Sequence, residues 1–255
     1  MPVIHKRFNM KHAEWVEQLR QTGAYETPIR SQGSWESRVL GRWDVWYYAK
    51  VIGIVLDEGV RAALGLYSYN RWSISSFRML RAVEACGGRI QVSGLEHLRD
   101  QPGPVVIVGN HMSMLETFLM PCILLSVRPF ANVVKDSLLR YPFFGRILAW
   151  TRPISVGRRN PREDLRAVLT QGAERLRDGI SLLIFPQATR SDVFQPAKFN
   201  SMGAKLARRA GVPMIPVAVQ TSFLGIGRVI RDLGKVNRSH PVRVRFGPPI
   251  DGSLD

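Results

Sequence analysis

Two side chains in VVIVGNHMSMLETFLMP (105–121) could do acid–base chemistry together: the imidazole of His111 and, five residues on, the carboxylate of Glu116. A carboxylate that accepts a hydrogen bond from one ring nitrogen fixes the tautomer, and the other nitrogen is then able to take a proton from a hydroxyl. This is the base-plus-orienter part of a hydrolase triad. On a regular helix, at about 100° per residue, the two side chains would lie about 140° apart and would not meet. A strand-to-helix turn brings them together, and the sequence carries one. The apolar run PVVIV stops at Gly109, Asn110 and His111 fall in the turn, and a helix can begin near Ser113 or Met114. By spacing alone such a pair is more often the polar trim of a turn than a base, so further residues must decide.

The elements that would position the pair follow a β/α rhythm from residue 89 onward. Strands are expected at RIQVSG (89–94), PVVIVGN (104–110), ANVVK (131–135), PISVG (153–157), SLLIF (181–185), MIPVAVQ (214–220) and VRVRFG (242–247). Continuous apolar runs such as VVIV and LLIF suit strands buried on both faces, hence a mostly parallel mixed sheet flanked by helices, an α/β fold. One covering helix is well marked: Asn160 caps it, Pro161 takes the first position, Glu163 completes a capping box and Gly179 ends it. Its apolar stripe is Leu165, Val168, Leu169 and Leu176.

Residues 1–88 read as an N-terminal helical segment and 89–255 as the domain that carries the chemistry. Residues 21–42, dotted with Gly, Ser and Pro, read as an extended connector. Two helix-like stretches follow, 43–66 and 69–86, in which Trp43, Trp46 and Trp72 are interleaved with aliphatics and with Arg71, Arg78 and Arg81. Such helices suit a membrane interface, where amphipathic rings and long cations are both satisfied, and they suit equally the protein's own core. Asp57, Glu58 and Arg61 interrupt any membrane span, and the first residues lack the apolar core of a cleaved signal peptide.

The formal charge is +16, and it concentrates in 151–210, with 12 Lys+Arg against 5 Asp+Glu. Such a surplus faces something anionic: nucleic acid, an acidic membrane, a phosphorylated substrate or an acidic carrier protein. Nucleic acid is disfavoured, because no recognition motif or aromatic–basic strand pattern accompanies the charge. Cys86 and Cys122 lie in apolar contexts and read as small buried hydrophobes in a reducing compartment. His5, His12, His97 and His240 have no metal-ligand spacing, and neither a Walker loop nor a dinucleotide fingerprint is present.

The company that His111 keeps decides the question. NHMSMLE resembles the Asn-His-x4-acid block of the glycerolipid acyltransferases, the family of 1-acylglycerol-3-phosphate acyltransferases. KDSLLRYPFFGRILAWTRPISVGRR (135–159) is similar to the family's second block, FPQATRS (185–191) to its Phe-Pro-Glu-Gly-Thr-Arg-Ser block, and VPMIPVAV (212–219) to its last. The sequence departs from the pattern in three places: Glu116 stands where Asp is usual, and Gln187 and Ala188 where Glu and Gly are usual.

The resemblance implies a fatty acyl transfer from acyl-CoA or acyl carrier protein, as co-substrate, to the free hydroxyl of a lysophospholipid. The expected acceptor is 1-acylglycerol-3-phosphate, giving phosphatidic acid, with no other cofactor and no metal. His111 would be the base and Glu116 its orienter, while Arg158 and Arg190 would hold a phosphate with two-pronged hydrogen bonds. Thr189, Gln187 and Asn110 would stand on the substrate side. The expected setting is an anionic membrane on its cytoplasmic face, with the N-terminal helices lying in the interface. The altered Gln187–Ala188 pair leaves open a different lysolipid acceptor, or a lipid-binding protein on the same fold without turnover.

Overall fold

The computed structural model describes residues 10–28, 43–187, 189–227 and 230–251. Residues 29–42, most of the expected connector, and Ala188 lie outside the described residues. All seven expected strands form: β2 (Ile90–Ser93), β3 (Val106–Gly109), β4 (Phe130–Lys135), β5 (Ile154–Val156), β6 (Ser181–Ile184), β7 (Met214–Gln220) and β8 (Val242–Phe246). An eighth, β1 (Tyr25–Glu26), was expected only as connector; it adds an antiparallel edge by pairing Tyr25 with Val92.

The strand order is β1-β2-β8-β7-β3-β6-β4-β5. The block β7-β3-β6-β4-β5 is parallel throughout, and β8 reverses direction against β7 while running parallel to β2. The sheet is therefore mixed and mostly parallel. Its central strand explains the uninterrupted apolar runs. Val105 and Ile107 face one core and Val106 the other, so no position along VVI is exposed.

One face is covered by α7 (Pro161–Arg177) and α8 (Met202–Ala210), whose Val168, Leu176 and Leu206 meet Val106, Leu182 and Ile184. The start of α7 follows the cap chemistry of its sequence, with the Asn160 side chain accepting from the amides of Arg162 and Glu163. The Glu163 carboxylate turns instead to the Asn160 side-chain amide, 2.8 Å away. Gly179 takes φ +79° just past the helix, which a residue with a Cβ resists.

The opposite face carries α3 (Tyr69–Ala85) against α5 (Leu115–Leu124), with α1 (His12–Thr22), α2 (Asp44–Ala63) and α6 (Phe144–Trp150) around them. The short α4 (Glu96–Arg99) follows β2. Of the two expected readings of the Trp- and Arg-rich helices, packing on the protein's own core holds for α3. Helix α3 is a core helix: Trp72 stacks on Phe130 with centroids 4.8 Å apart, and Leu80 and Val83 are fully buried. Two of its arginines reach to α2, where Arg71 meets the buried Glu58 at 2.7 Å and Arg78 meets it at 2.9 Å, while Arg81 pairs with Glu84 on the same helix. Helix α2 buries Tyr47, Val51 and Ile54 and leaves Ile52, Leu56 and Val60 exposed. Among the described residues no helix is long and apolar enough to cross a membrane.

Candidate active site

The parallel strands deliver their carboxyl ends to one edge of the sheet, and the chain turns there after β3, β4, β5, β6 and β7. Strand β3 ends at Gly109 because nothing larger fits: a Cβ there would stand 2.7 Å from Val217 Cγ1 and 3.0 Å from the Val217 carbonyl oxygen. Asn110 then locks the turn to β7. Its amide donates to the Val219 carbonyl at 2.9 Å, and its oxygen accepts the Val219 N–H at 2.8 Å.

His111 is held mostly by the FPQATRS segment. Its N–H donates to Gln187 Oε1 at 2.5 Å, its carbonyl accepts the Ser191 N–H at 3.0 Å, and its ring stacks on Phe185 at 4.6 Å and 13°. Asn110 and Gln187 were both expected on the substrate side, yet these polar atoms are engaged with backbone behind His111.

Glu116 lies in the first turn of α5 and meets His111 as the strand-to-helix turn required, with His111 Nδ1 2.8 Å from Oε1. The same oxygen accepts the N–H groups of Met112 at 2.6 Å and Ser113 at 2.9 Å. The other oxygen accepts from Thr221 Oγ1 at 2.6 Å and from Ser113 Oγ at 3.2 Å. A fully buried carboxylate needs such a set of donors, and the first turn of a helix offers unpaired N–H groups to supply it. The extra methylene of Glu over Asp lets the side chain fold back over the start of its own helix. With Nδ1–H donating to Glu116, Nε2 keeps its lone pair, and no described residue hydrogen-bonds to Nε2.

His111 opens on a cleft of about 710 Å³ that Arg158, Thr189 and Arg190 also line. Arg158 is reached through a tight turn after β5, in which it takes φ +56°. Asp164, in the first turn of α7, holds that turn by accepting the N–H groups of Gly157 at 3.0 Å and Arg158 at 2.9 Å. Arg190 pairs with Asp232 at 2.6 Å, and the exposed Thr189 accepts from Arg231 Nη2 at 3.3 Å. The walls are apolar, with Val55 and Leu56 of α2 facing Leu138 and Phe144. Two smaller cavities of about 80 and 40 Å³ adjoin it, sharing Thr117 and Phe144 with its lining.

Of the seven expected site residues, His111, Arg158, Thr189 and Arg190 share the cleft, and Glu116, Asn110 and Gln187 support it from behind. Thr221, Asp164, Arg231 and Asp232 are additional participants. Thr221 had a usable signal, being the first residue past an apolar strand that ends at this edge. Asp164 had the signal of an acid four residues past the Asn160 cap, which reads as ordinary helix-start chemistry. Arg231 and Asp232 come from a distant loop and carried no local signal.

The model of the Acyltransferase family matches residues 89–220. The chain is 40% identical over 132 residues to the 1-acyl-sn-glycerol-3-phosphate acyltransferase of Pseudomonas aeruginosa, covering 52% of this chain and 49% of that protein. It is 31% identical over 149 residues to the enzyme of that name from Borreliella burgdorferi, covering 56% and 58%. The chain thus spans about half the length of the curated relatives it matches. Among solved structures, the 1-acyl-sn-glycerophosphate acyltransferase of Thermotoga maritima shares the fold, with a TM-score of 0.52 at 21% identity, over 83% of this chain and 85% of that one. The chain belongs to the Acyltransferase family.

Proposed function

We propose that the chain transfers a fatty acyl group from a thioester, acyl-CoA or acyl carrier protein, to the free hydroxyl of a lysophospholipid, with 1-acylglycerol-3-phosphate as acceptor and phosphatidic acid as product. The observation that carries this is the His111 ring, fixed through Nδ1 by Glu116 and presenting Nε2 to a cleft that also holds Arg158 and Arg190. The names of the relatives, 1-acyl-sn-glycerol-3-phosphate acyltransferase, support the same acceptor.

In this reading Nε2 removes the proton of the acceptor hydroxyl as its oxygen attacks the thioester carbonyl. The C–S bond breaks, and the departing thiolate takes the proton back from the imidazolium. Glu116 holds the ring in the tautomer that starts the cycle and offsets its charge midway. No covalent intermediate on the protein is needed. Ser113, the nearest hydroxyl in the motif, is buried and donates within the Glu116–Thr221 network. Arg158 and Arg190 bind the phosphate, and the apolar walls of the cleft accept acyl chain.

The exposed face of α2 borders the cleft, so we assign it to the lipid interface. There an acceptor enters sideways from the bilayer and the basic surface meets anionic headgroups. The decisive experiment is acyl transfer to 1-acylglycerol-3-phosphate with His111→Ala. Loss of about 10²–10⁴-fold is expected for a general base. Transfer close to wild type would exclude the mechanism.

A further inference from the structure

The ion pair between Arg190 and Asp232 puts a carboxylate where the proposed phosphate would bind. The Oδ1 of Asp232 is 2.6 Å from Arg190 Nη1, with the two side chains 36% and 18% exposed, and both line the cleft that His111 enters. A guanidinium receives carboxylate and phosphate oxygens through the same fork of N–H groups. We propose that Asp232 is an internal competitor for the acceptor's phosphate: it pairs with Arg190 and must release it before the headgroup can bind. This deepens the proposed reading and rests on it for the identity of the acceptor.

The surroundings argue for a placement that the fold maintains. Leu224 and Val236 bridge antiparallel, and the Gly225 N–H donates to the Lys235 carbonyl at 3.0 Å. The two sides approach so closely that a Cβ on Gly234 would overlap the Gly225 carbonyl oxygen at 1.9 Å. Tyr48 of α2 fastens this structure by donating to the Gly234 carbonyl at 2.5 Å. Asp232 is thereby held over the FPQATRS turn, with its neighbour Arg231 on Thr189.

Part-exposed ion pairs are weak, and a phosphate brings more charge and more acceptor oxygens than one carboxylate, so the exchange is within reach. Once Asp232 turns away, Arg190 is open to the phosphate, with Arg231 and Arg158 lining the same cleft. The competitor weakens substrate and product alike, because phosphatidic acid keeps the phosphate. Such uniform weakening raises KM and eases product departure.

The test uses the full chain in vesicles and Asp232→Asn, which removes the charge and keeps the shape. The KM for 1-acylglycerol-3-phosphate should fall about threefold, the scale of a part-exposed ion pair. Monoacylglycerol, which lacks the phosphate, should show no such change, and Asp232→Glu should restore the wild-type KM. A KM that rises, as it would if Asp232 merely positioned Arg190, overturns the proposal, and so does an equal fall for both acceptors. Calorimetry with glycerol 3-phosphate supplies an arm that needs no turnover. Tighter binding by Asp232→Asn in a chain that transfers no acyl group would sink the acyltransfer reading and leave the competitor standing. Active transfer with no tighter binding would do the reverse.

Discussion

Thr221 Oγ1 donates to Glu116 Oε2 at 2.6 Å, while His111 Nδ1 meets the other oxygen of the same carboxylate at 2.8 Å. The hydroxyl at the end of β7, 105 residues beyond Glu116 in sequence, and the imidazole at the end of β3 thus grip the carboxylate from opposite sides. The first keeps the carboxylate from rotating, so that the second finds it in place.

Thr221→Val should therefore act through Glu116. It leaves one lone pair of a buried carboxylate without a donor, at a cost of about 1–3 kcal/mol. Acyl transfer should fall by about tenfold, carried by kcat, because the ring loses its fixed partner and not its substrate. Thr221→Ser, which keeps the hydroxyl, should recover most of both. Equal kcat in the Val and wild-type proteins would show that Glu116 needs no help from β7.

Glu116→Gln is the sharper change. One orientation of the amide turns its N–H₂ toward the N–H groups of Met112 and Ser113, and the other toward the Ser113 N–H at 3.2 Å and a Thr221 hydroxyl that must switch from donating to accepting. The chain should lose about 1–3 kcal/mol or more of stability and at least about 10² in transfer rate. Glu116→Asp keeps the charge, shortens the reach and should be the milder of the two. Urea unfolding beside initial rates separates the effects, and a Gln variant of near-normal rate would remove Glu116 from the mechanism.

These contacts mark how far the sequence could be read. The strands were legible because VVIV and LLIF leave no polar position for a surface. The five-residue step from His111 to Glu116 was legible because only a strand-to-helix turn lets such a pair meet. The roles of Arg71 and Arg78 were not, since an arginine bound for a membrane interface and one bound for Glu58 look alike until two helices cross. FPQATRS showed the same limit: its Phe185, Gln187 and Ser191 cradle His111, a task that depends on β3 and β6 being neighbours. Asp232 was beyond reach for the same reason.

Gly109→Ala tests the close approach that ends β3. The added methyl meets Val217 Cγ1 and carbonyl oxygen on the neighbouring strand, where a packed sheet yields little, and overpacking of this kind costs about 1–3 kcal/mol. The shift would pass directly to Asn110 and His111, so the rate should fall by more than stability alone requires. Rates compared at a temperature where both proteins are fully folded give the answer. A stable variant with full activity would mean that the turn tolerates displacement.

Burial pushes the Cys122 thiol up to about 12 and the Cys86 thiol up to about 11. Thiolate is the reactive form, so near pH 8 neither group should react with a thiol reagent in the folded chain. Both should react at once in denaturant. Modification of the native protein at the rate of a free thiol would place at least one of them at the surface.

The exposed stripe of α2 can be tested without touching the cleft. Ile52, Leu56 and Val60 recur every four residues, which puts them on one side of the helix, and the exposed Leu64 follows at its C-cap, while Tyr47, Val51, Ile54 and Glu58 are buried. Truncating the chain near residue 88 would also strip Leu80 and Val83 from the core, so point changes are the cleaner probe. Val60→Glu with Leu64→Glu alters side chains that are 48% and 67% exposed, and stability should move by no more than about 0.5 kcal/mol for each. If the stripe enters the headgroup layer, each side chain withdrawn from it forfeits about 1.5–3 kcal/mol of apolar burial, and the double variant should bind anionic vesicles at least about tenfold more weakly. Sedimentation at fixed lipid reads this directly. Pelleting equal to wild type would assign the stripe to another partner and leave the route of the acceptor to the cleft to be found elsewhere on its rim.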